Sequence, residues 1–144
     1  MKVISIVGPK KSGKTLLVTR LIEALKKHGK VGTVKHMPDH AVEDKGDTRR
    51  HFEAGADVVV GVGKGSVQFK VMRDGGLESA LRELQFDGVD FAVVEGFKGS
   101  DLPKIVLGGL DLPNCIEQLD MSQIDDAMME RLTQLVISLE YFDI

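Results

Sequence analysis

A chain of 144 residues with 19 basic and 22 acidic side chains, a formal charge of −3 and one cysteine has the length of one domain, expected to span 1–144. At that size about 70% of the unfolded surface can be buried, so no disulfide framework or structural metal is required, and the lone Cys115 is expected to be a small buried apolar residue rather than a catalytic thiol. Apolar runs stay far below the roughly 18 residues of a membrane span, and the run opening MKVISIVG is too short for a signal-peptide core, so a soluble, cytoplasmic protein without a membrane partner is expected.

Val3 to Val7 is an apolar run with one serine, the pattern of a buried strand, and it leads through GPKKSGKT into an amphipathic helix over Leu16 to Lys27, stopped at His28-Gly29. Lys30 to Val34 is a second short strand, Met37 to Gly46 is a polar loop containing a proline, and Asp47 to Ala54 is a short helix ended by Gly55. Val58 to Val62 and Val67 to Met72 are strands whose connection, Gly63 to Ser66, is short enough to pair them antiparallel, so the sheet is expected to be mixed. Leu77 to Leu84 has helical spacing, and Phe91 to Val94 and Ile105 to Leu107 are buried strands. Ser122 with Asp125 resembles a helix N-cap pair, followed by one apolar face of Ile124, Met128, Leu132, Leu135 and Leu139. Met121, Met128 and Met129 are read as core and flank residues. Strands alternating with helices give an α/β domain with a mostly parallel sheet.

Charge is unevenly distributed: residues 1–50 hold 12 basic against 5 acidic side chains, whereas residues 111–144 hold 1 against 8. The basic residues are dispersed through strand, helix and loop without interleaved aromatics, which argues against a nucleic-acid surface and for a local polyanion such as a nucleoside triphosphate.

Gly8-Pro9-Lys10-Lys11-Ser12-Gly13-Lys14-Thr15 fits the phosphate-binding pattern G-x-x-x-x-G-K-[ST] in full, between a buried strand and a helix. Its glycines let the backbone wrap a phosphate, the amides of residues 10 to 15 face a helix N-terminus that favours anions, Lys14 reaches the β and γ oxygens, and Thr15 offers a hydroxyl to Mg²⁺. A metal beside the phosphates needs acids from a neighbouring strand end, and Glu95, closing Asp90-Phe-Ala-Val-Val-Glu95-Gly96, emerges at the edge where the first strand delivers the loop. The loop after the second strand holds His36, Asp39, His40, Glu43, Asp44 and Asp47 near that edge. Asp47 caps a predicted helix and, as part of a switch element, would also sense Mg²⁺ through water while Arg49 approaches the phosphates.

Read together, Gly8 to Thr15, Thr33-Val-Lys-His36, Asp47-Thr-Arg-Arg-His-Phe-Glu-Ala-Gly-Ala-Asp57 and Val94-Glu-Gly-Phe-Lys98 resemble, in order and spacing, the molybdopterin-guanine dinucleotide biosynthesis protein B (MobB) family. The resemblance covers about the first 110 residues. It implies a P-loop NTPase-like three-layer α/β sandwich, a homodimer, GTP with Mg²⁺ as ligands, weak GTPase activity, and help in attaching GMP to molybdopterin alongside a molybdopterin guanylyltransferase. By motif position it places Lys14, Asp47 and Glu95 in the catalytic machinery and Thr15, Asp47 and Glu95 at the metal. It puts Gly8, Pro9, Lys10, Lys11, Ser12, Gly13, Lys14, Thr15, Leu16, His36, Arg49, Gly96 and Lys98 around the nucleotide. Guanine preference comes from the resemblance alone, because the chain has no N-K-x-D or T-K-x-D.

Two other readings use the same residues. A small-molecule kinase would close an arginine-rich lid over the donor, and residues 111–144 contain only Arg131. A metallochaperone-like GTPase would use His36 and His40 with the acidic loop between them.

Overall fold

The computed structural model describes residues 1–37, 47–66, 68–72 and 76–143. The apolar run near the N-terminus forms β1 (Lys2–Val7), the phosphate-binding motif leads into α1 (Lys14–Leu25), and β2 follows at Val31–Lys35. After α2 (Asp47–Glu53) come β3 (Val58–Val62) and β4 (Gln68–Met72), then α3 (Leu77–Phe86), β5 (Phe91–Glu95), β6 (Lys104–Leu107), β7 (Cys115–Leu119) and α4 (Asp126–Ile137). Two compact units result, one of residues 1–36 with 77–144, the other of residues 37–76.

The larger unit is built on a five-stranded sheet in the order β2-β5-β1-β6-β7, and every pairing in it is parallel. Alternation along the strands explains its layers. Ile4, Ile6, Phe91, Val93, Ile105 and Leu107 point to one face and pack with Leu17, Leu21 and Leu25 of α1 and Leu132 and Val136 of α4. Val3, Ala92 and Val94 point to the other face and meet Leu81 of α3. Side chains such as Leu21 and Leu132, fully removed from water, each contribute roughly 1.5–3 kcal/mol to this packing. The chain terminus is tied back to the start, since the Phe142 amide donates to the Met1 carbonyl at 2.8 Å.

In the smaller unit β3 and β4 pair antiparallel, with Val58 opposite Met72 and Val62 opposite Gln68. The hairpin expected from the short Gly63–Ser66 connection therefore forms, but as its own two-stranded sheet. The five-stranded sheet is parallel throughout instead of mixed.

Three further points differ from the sequence reading. β7 went unforeseen, because along CIEQL only Leu119 is buried. Cys115 is exposed rather than buried, since it opens this edge strand, where its thiol donates to the Glu117 carbonyl at 3.3 Å. The cap residues are also shifted. Asp120, with Gln123, forms a capping box over the 3-10 turn Met121–Gln123, and α4 has its own cap in Asp125, whose carboxylate accepts from the Met128 amide at 2.8 Å. The apolar face proposed for this region holds: Ile124, Met128, Leu132, Leu135 and Leu139 all pack on the α1 side, together with Met121 and Met129.

Candidate functional site

β1, β2 and β5 run parallel and end together, with Ile6 and Lys35 both in register with Glu95. Whatever follows these strands is gathered at one edge, as expected for ligand sites in parallel sheets. The phosphate-binding loop leaves β1 here. Gly8 has no room for a side chain: a Cβ would lie 2.8 Å from Ser12 Oγ and 2.9 Å from Leu107 Cβ. The loop is closed by a hydrogen bond from the Ser12 amide to the Pro9 carbonyl at 3.2 Å, so among residues 10 to 15 this amide faces into the loop's own turn. Lys11 (φ 61°) and Gly13 (φ 95°) are left-handed, which turns the chain into α1.

Among the described residues no side chain caps α1; Gly13 occupies the cap position and the first intrahelical bond runs from the Leu17 amide to the Gly13 carbonyl. The amides of Lys14, Thr15 and Leu16 precede that bond and sit at the positive end of the helix dipole. Beside them Ser12 Oγ is buried, and among the described residues it has no hydrogen-bond partner. A buried hydroxyl without a partner costs about 1–3 kcal/mol. An uncapped helix end next to an orphaned donor fits an oxyanion at this position.

Thr15 Oγ1 donates to Glu95 Oε1 at 2.9 Å, joining the last residue of the phosphate motif to the acid at the end of β5. A hydroxyl and a carboxylate held together beside a phosphate cradle are the hard oxygen donors that Mg²⁺ takes. The turn after Glu95 is fixed by backbone contacts: Gly96 (φ 100°) donates to the Ile6 carbonyl at 3.0 Å, and its own carbonyl accepts from Ser5 Oγ at 2.7 Å. A Cβ on Gly96 would come within 2.8 Å of His36 Cβ. The His36 amide donates to the Glu95 carbonyl, and its ring stacks on Phe97 with centroids 4.1 Å apart. Lys98 is exposed in the turn that follows.

The structure thus brings together Gly8 to Leu16, His36, Glu95, Gly96 and Lys98. Asp47 begins α2 in the smaller unit and Arg49 pairs there with Glu53 at 2.9 Å, one helical turn on. Asp39, His40, Glu43 and Asp44 lie outside the described residues, among which no group of three or more His, Cys, Asp or Glu is placed to hold a metal ion.

One supporting residue escaped the sequence reading. Lys104, fully buried at the start of β6, donates through Nζ to the carbonyls of Ser100, Leu102 (3.0 Å) and Pro113 (3.1 Å). It ties the segment after the Gly96–Lys98 turn to the chain entering β7. Burial pushes its pKa below 10.5, while the charge of Asp101 works in the opposite direction. The available signal was a lysine heading an otherwise apolar strand, KIVL.

The family model of molybdopterin guanine dinucleotide synthesis protein B (MobB) matches residues 3–123. The chain belongs to the MobB family. A Bacillus subtilis protein named as a molybdopterin-guanine dinucleotide biosynthesis adapter is 34% identical over 111 residues, covering 73% of this chain and 64% of that protein. A Methanocaldococcus jannaschii protein with the same designation is 37% identical over 114 residues, covering 74% of this chain and 47% of its own length. The chain therefore spans less than two thirds of these two relatives. Among solved structures, Bacillus subtilis MobB superposes with a TM-score of 0.72 at 23% identity, over 94% of this chain and 98% of that one. A MobB homologue from Bacillus stearothermophilus gives 0.69 at 23% identity, over 96% and 100%. These likenesses show the α/β P-loop NTPase-like fold. Among the described residues no helix is long and apolar enough to cross a membrane.

Proposed function

We propose that this chain is a GTP-binding accessory protein of molybdenum-cofactor biosynthesis, a weak GTPase that assists attachment of GMP to molybdopterin alongside a molybdopterin guanylyltransferase. The observation that carries the nucleotide part is the Thr15–Glu95 contact at 2.9 Å beside an uncapped helix end. The pathway part rests on family membership and on the adapter names of the relatives. In this reading the amides of Lys14, Thr15 and Leu16 and the hydroxyl of Ser12 bind phosphate oxygens, and the Lys14 ammonium lies along the β and γ oxygens. Thr15 and Glu95 would hold Mg²⁺, Glu95 in part through water. Bound Mg²⁺ supplies charge neutralisation on the phosphates. His36, Gly96 and Lys98 line the site, and a homodimer is the working assembly.

Calorimetric titration with GTP and, separately, ATP, each with Mg²⁺, tests the reading on wild type and Lys14→Ala. Selective GTP binding weakened roughly 30-fold or more in the variant is expected, the size of loss seen when one partner of a buried charge pair is truncated. Equal or tighter ATP binding would undo the guanine assignment. Without a partner-supplied arginine, turnover on the order of 10⁻⁴ per second is expected; single-turnover hydrolysis above about 1 per second by the protein alone would contradict an accessory role. A kinase reading would need Arg131 to close over the donor, but both its terminal nitrogens are engaged by Glu117, at 3.0 and 2.6 Å.

A further inference from the structure

The C-terminal ends of β6 and β7 frame a depression of about 360 Å³ lined by Gly108, Gly109, Gln118, Leu119, Asp120 and Gln123. That volume lies within the roughly 300–1,000 Å³ of small-molecule sites. It adjoins the phosphate loop at three points. Gly8 abuts Leu107, a Cβ on Gly108 would lie 3.5 Å from the Pro9 ring, and Gly13 is backed by Met121, which falls between Asp120 and Gln123. A ligand anchored in the loop by its phosphates has this depression as its neighbour on the β6–β7 side.

Its polar groups are committed in a particular way. Gln118 Nε2 donates to the carbonyls of Gly108 (2.7 Å) and Leu110 (3.3 Å), fixing the rim. Gln123 Oε1 accepts from the Asp120 amide at 2.8 Å, so the nitrogen end of that side chain is what it can offer a ligand. Asp120 Oδ1 accepts from the amide (2.9 Å) and hydroxyl of Ser122. These hydrogen bonds hold its carboxyl below the usual carboxylate value, which leaves an ionised acceptor at neutral pH.

We propose that this depression receives the base of the nucleotide whose phosphates the loop holds, and that Asp120 selects guanine by accepting from its ring N1–H and its exocyclic amine at Oδ2, the oxygen that Ser122 does not engage. The proposal rests on the phosphate-loop reading above. Guanine presents two adjacent donors, which a carboxylate matches, and an oxygen that the Gln123 amide nitrogen can reach as a donor. Adenine would instead set its N1 lone pair against the carboxylate, and a site built for hydrogen bonds rejects an analogue that leaves them unmade. Asp120 would thus do from the end of β7 what the absent N-K-x-D motif does elsewhere.

The test is equilibrium titration of the full chain, with Mg²⁺, against GTP, XTP, ATP and inorganic tripolyphosphate, on wild type, Asp120→Asn and Gly109→Leu. Asparagine also caps well, and its amide would pair with the C2 carbonyl of xanthine. Gly109 lies outside the left-handed region and a Cβ there meets nothing within 4 Å, so leucine fits the backbone and fills the depression. Wild type is expected to favour GTP over XTP and ATP by about tenfold or more. Asp120→Asn is expected to shift the GTP:XTP ratio toward XTP by at least about tenfold, and Gly109→Leu to weaken every nucleotide by a similar factor, with tripolyphosphate binding unchanged in both. Unmoved ratios in Asp120→Asn would overturn the proposal, as would tripolyphosphate binding lost together with GTP, which would assign Asp120 to support of the loop. If wild type binds tripolyphosphate and all three nucleotides equally, the base site fails and the phosphate loop stands. If it binds none of them, the phosphate-loop reading itself fails.

Discussion

Lys104 and Ser12 show opposite ways of burying a polar group. The Lys104 ammonium is enclosed yet meets three carbonyls, whereas Ser12 Oγ is enclosed and has no hydrogen-bond partner among the described residues. Lys104→Met should lower stability by about 2 kcal/mol, because the orphaned carbonyls outweigh the relief of burying a charge; urea denaturation measures it. Its pH dependence has a definite sign. The folded pKa lies below the 10.5 of the unfolded side chain, so between the lowered value and 10.5 the unfolded chain binds the proton more tightly, and stability rises with pH across that window. The Lys104→Met variant should lose this rise. That Gly8 to Thr15 and Glu95 meet at one sheet edge could be read from the sequence because each belongs to a pattern with a mechanical reason for its spacing. Lys104 could not, since a lysine carries no mark of burial until the three carbonyls around it are known.

At the level of elements, the two long helices start differently. α4 has an Asp125 cap, and α1 has no side-chain cap among the described residues, only the left-handed Gly13. Asp125→Ala should therefore cost about 1 kcal/mol by denaturant melting, as side-chain caps do. Apolar runs revealed β1, β5 and β6 because strands buried on both faces read as continuous hydrophobic segments. Edge strand β7 is half exposed and carries Glu117 and Gln118 among its five residues, so hydrophobicity alone does not disclose it. The cap shift has a similar origin: several short polar side chains between 120 and 126 could each cap a helix, and only the backbone shows that a 3-10 turn comes first.

For the whole molecule, the order β2-β5-β1-β6-β7 lies beyond any local pattern, because the pairings of β2 with β5, β5 with β1 and β1 with β6 join segments far apart in sequence. The mixed sheet expected from the hairpin failed for this reason. Antiparallel pairing is decided by a short connection, but membership of the larger sheet is not. An isolated two-stranded sheet is marginal in water, while the five-stranded sheet is covered by α1 and α4 on one face and α3 on the other. Hydrogen exchange should accordingly release the amides of β3 well before those of β1 and β5. Equal protection would show that the hairpin is held by more than its own pairing.

The register of β1 also bears on how the molecule is made. Its first residue pairs with Phe91 and its middle with Lys104, so neither neighbour exists when the strand leaves the ribosome. At about 5–20 residues per second, roughly 5–20 s separate synthesis of this strand from that of its last partner. Through that interval this buried strand and the phosphate loop behind it travel unpaired, and nucleation of the sheet must wait on a contact of very long sequence separation. A nascent chain cut before Leu107 would thus carry the complete phosphate-binding motif without the framework that shapes it.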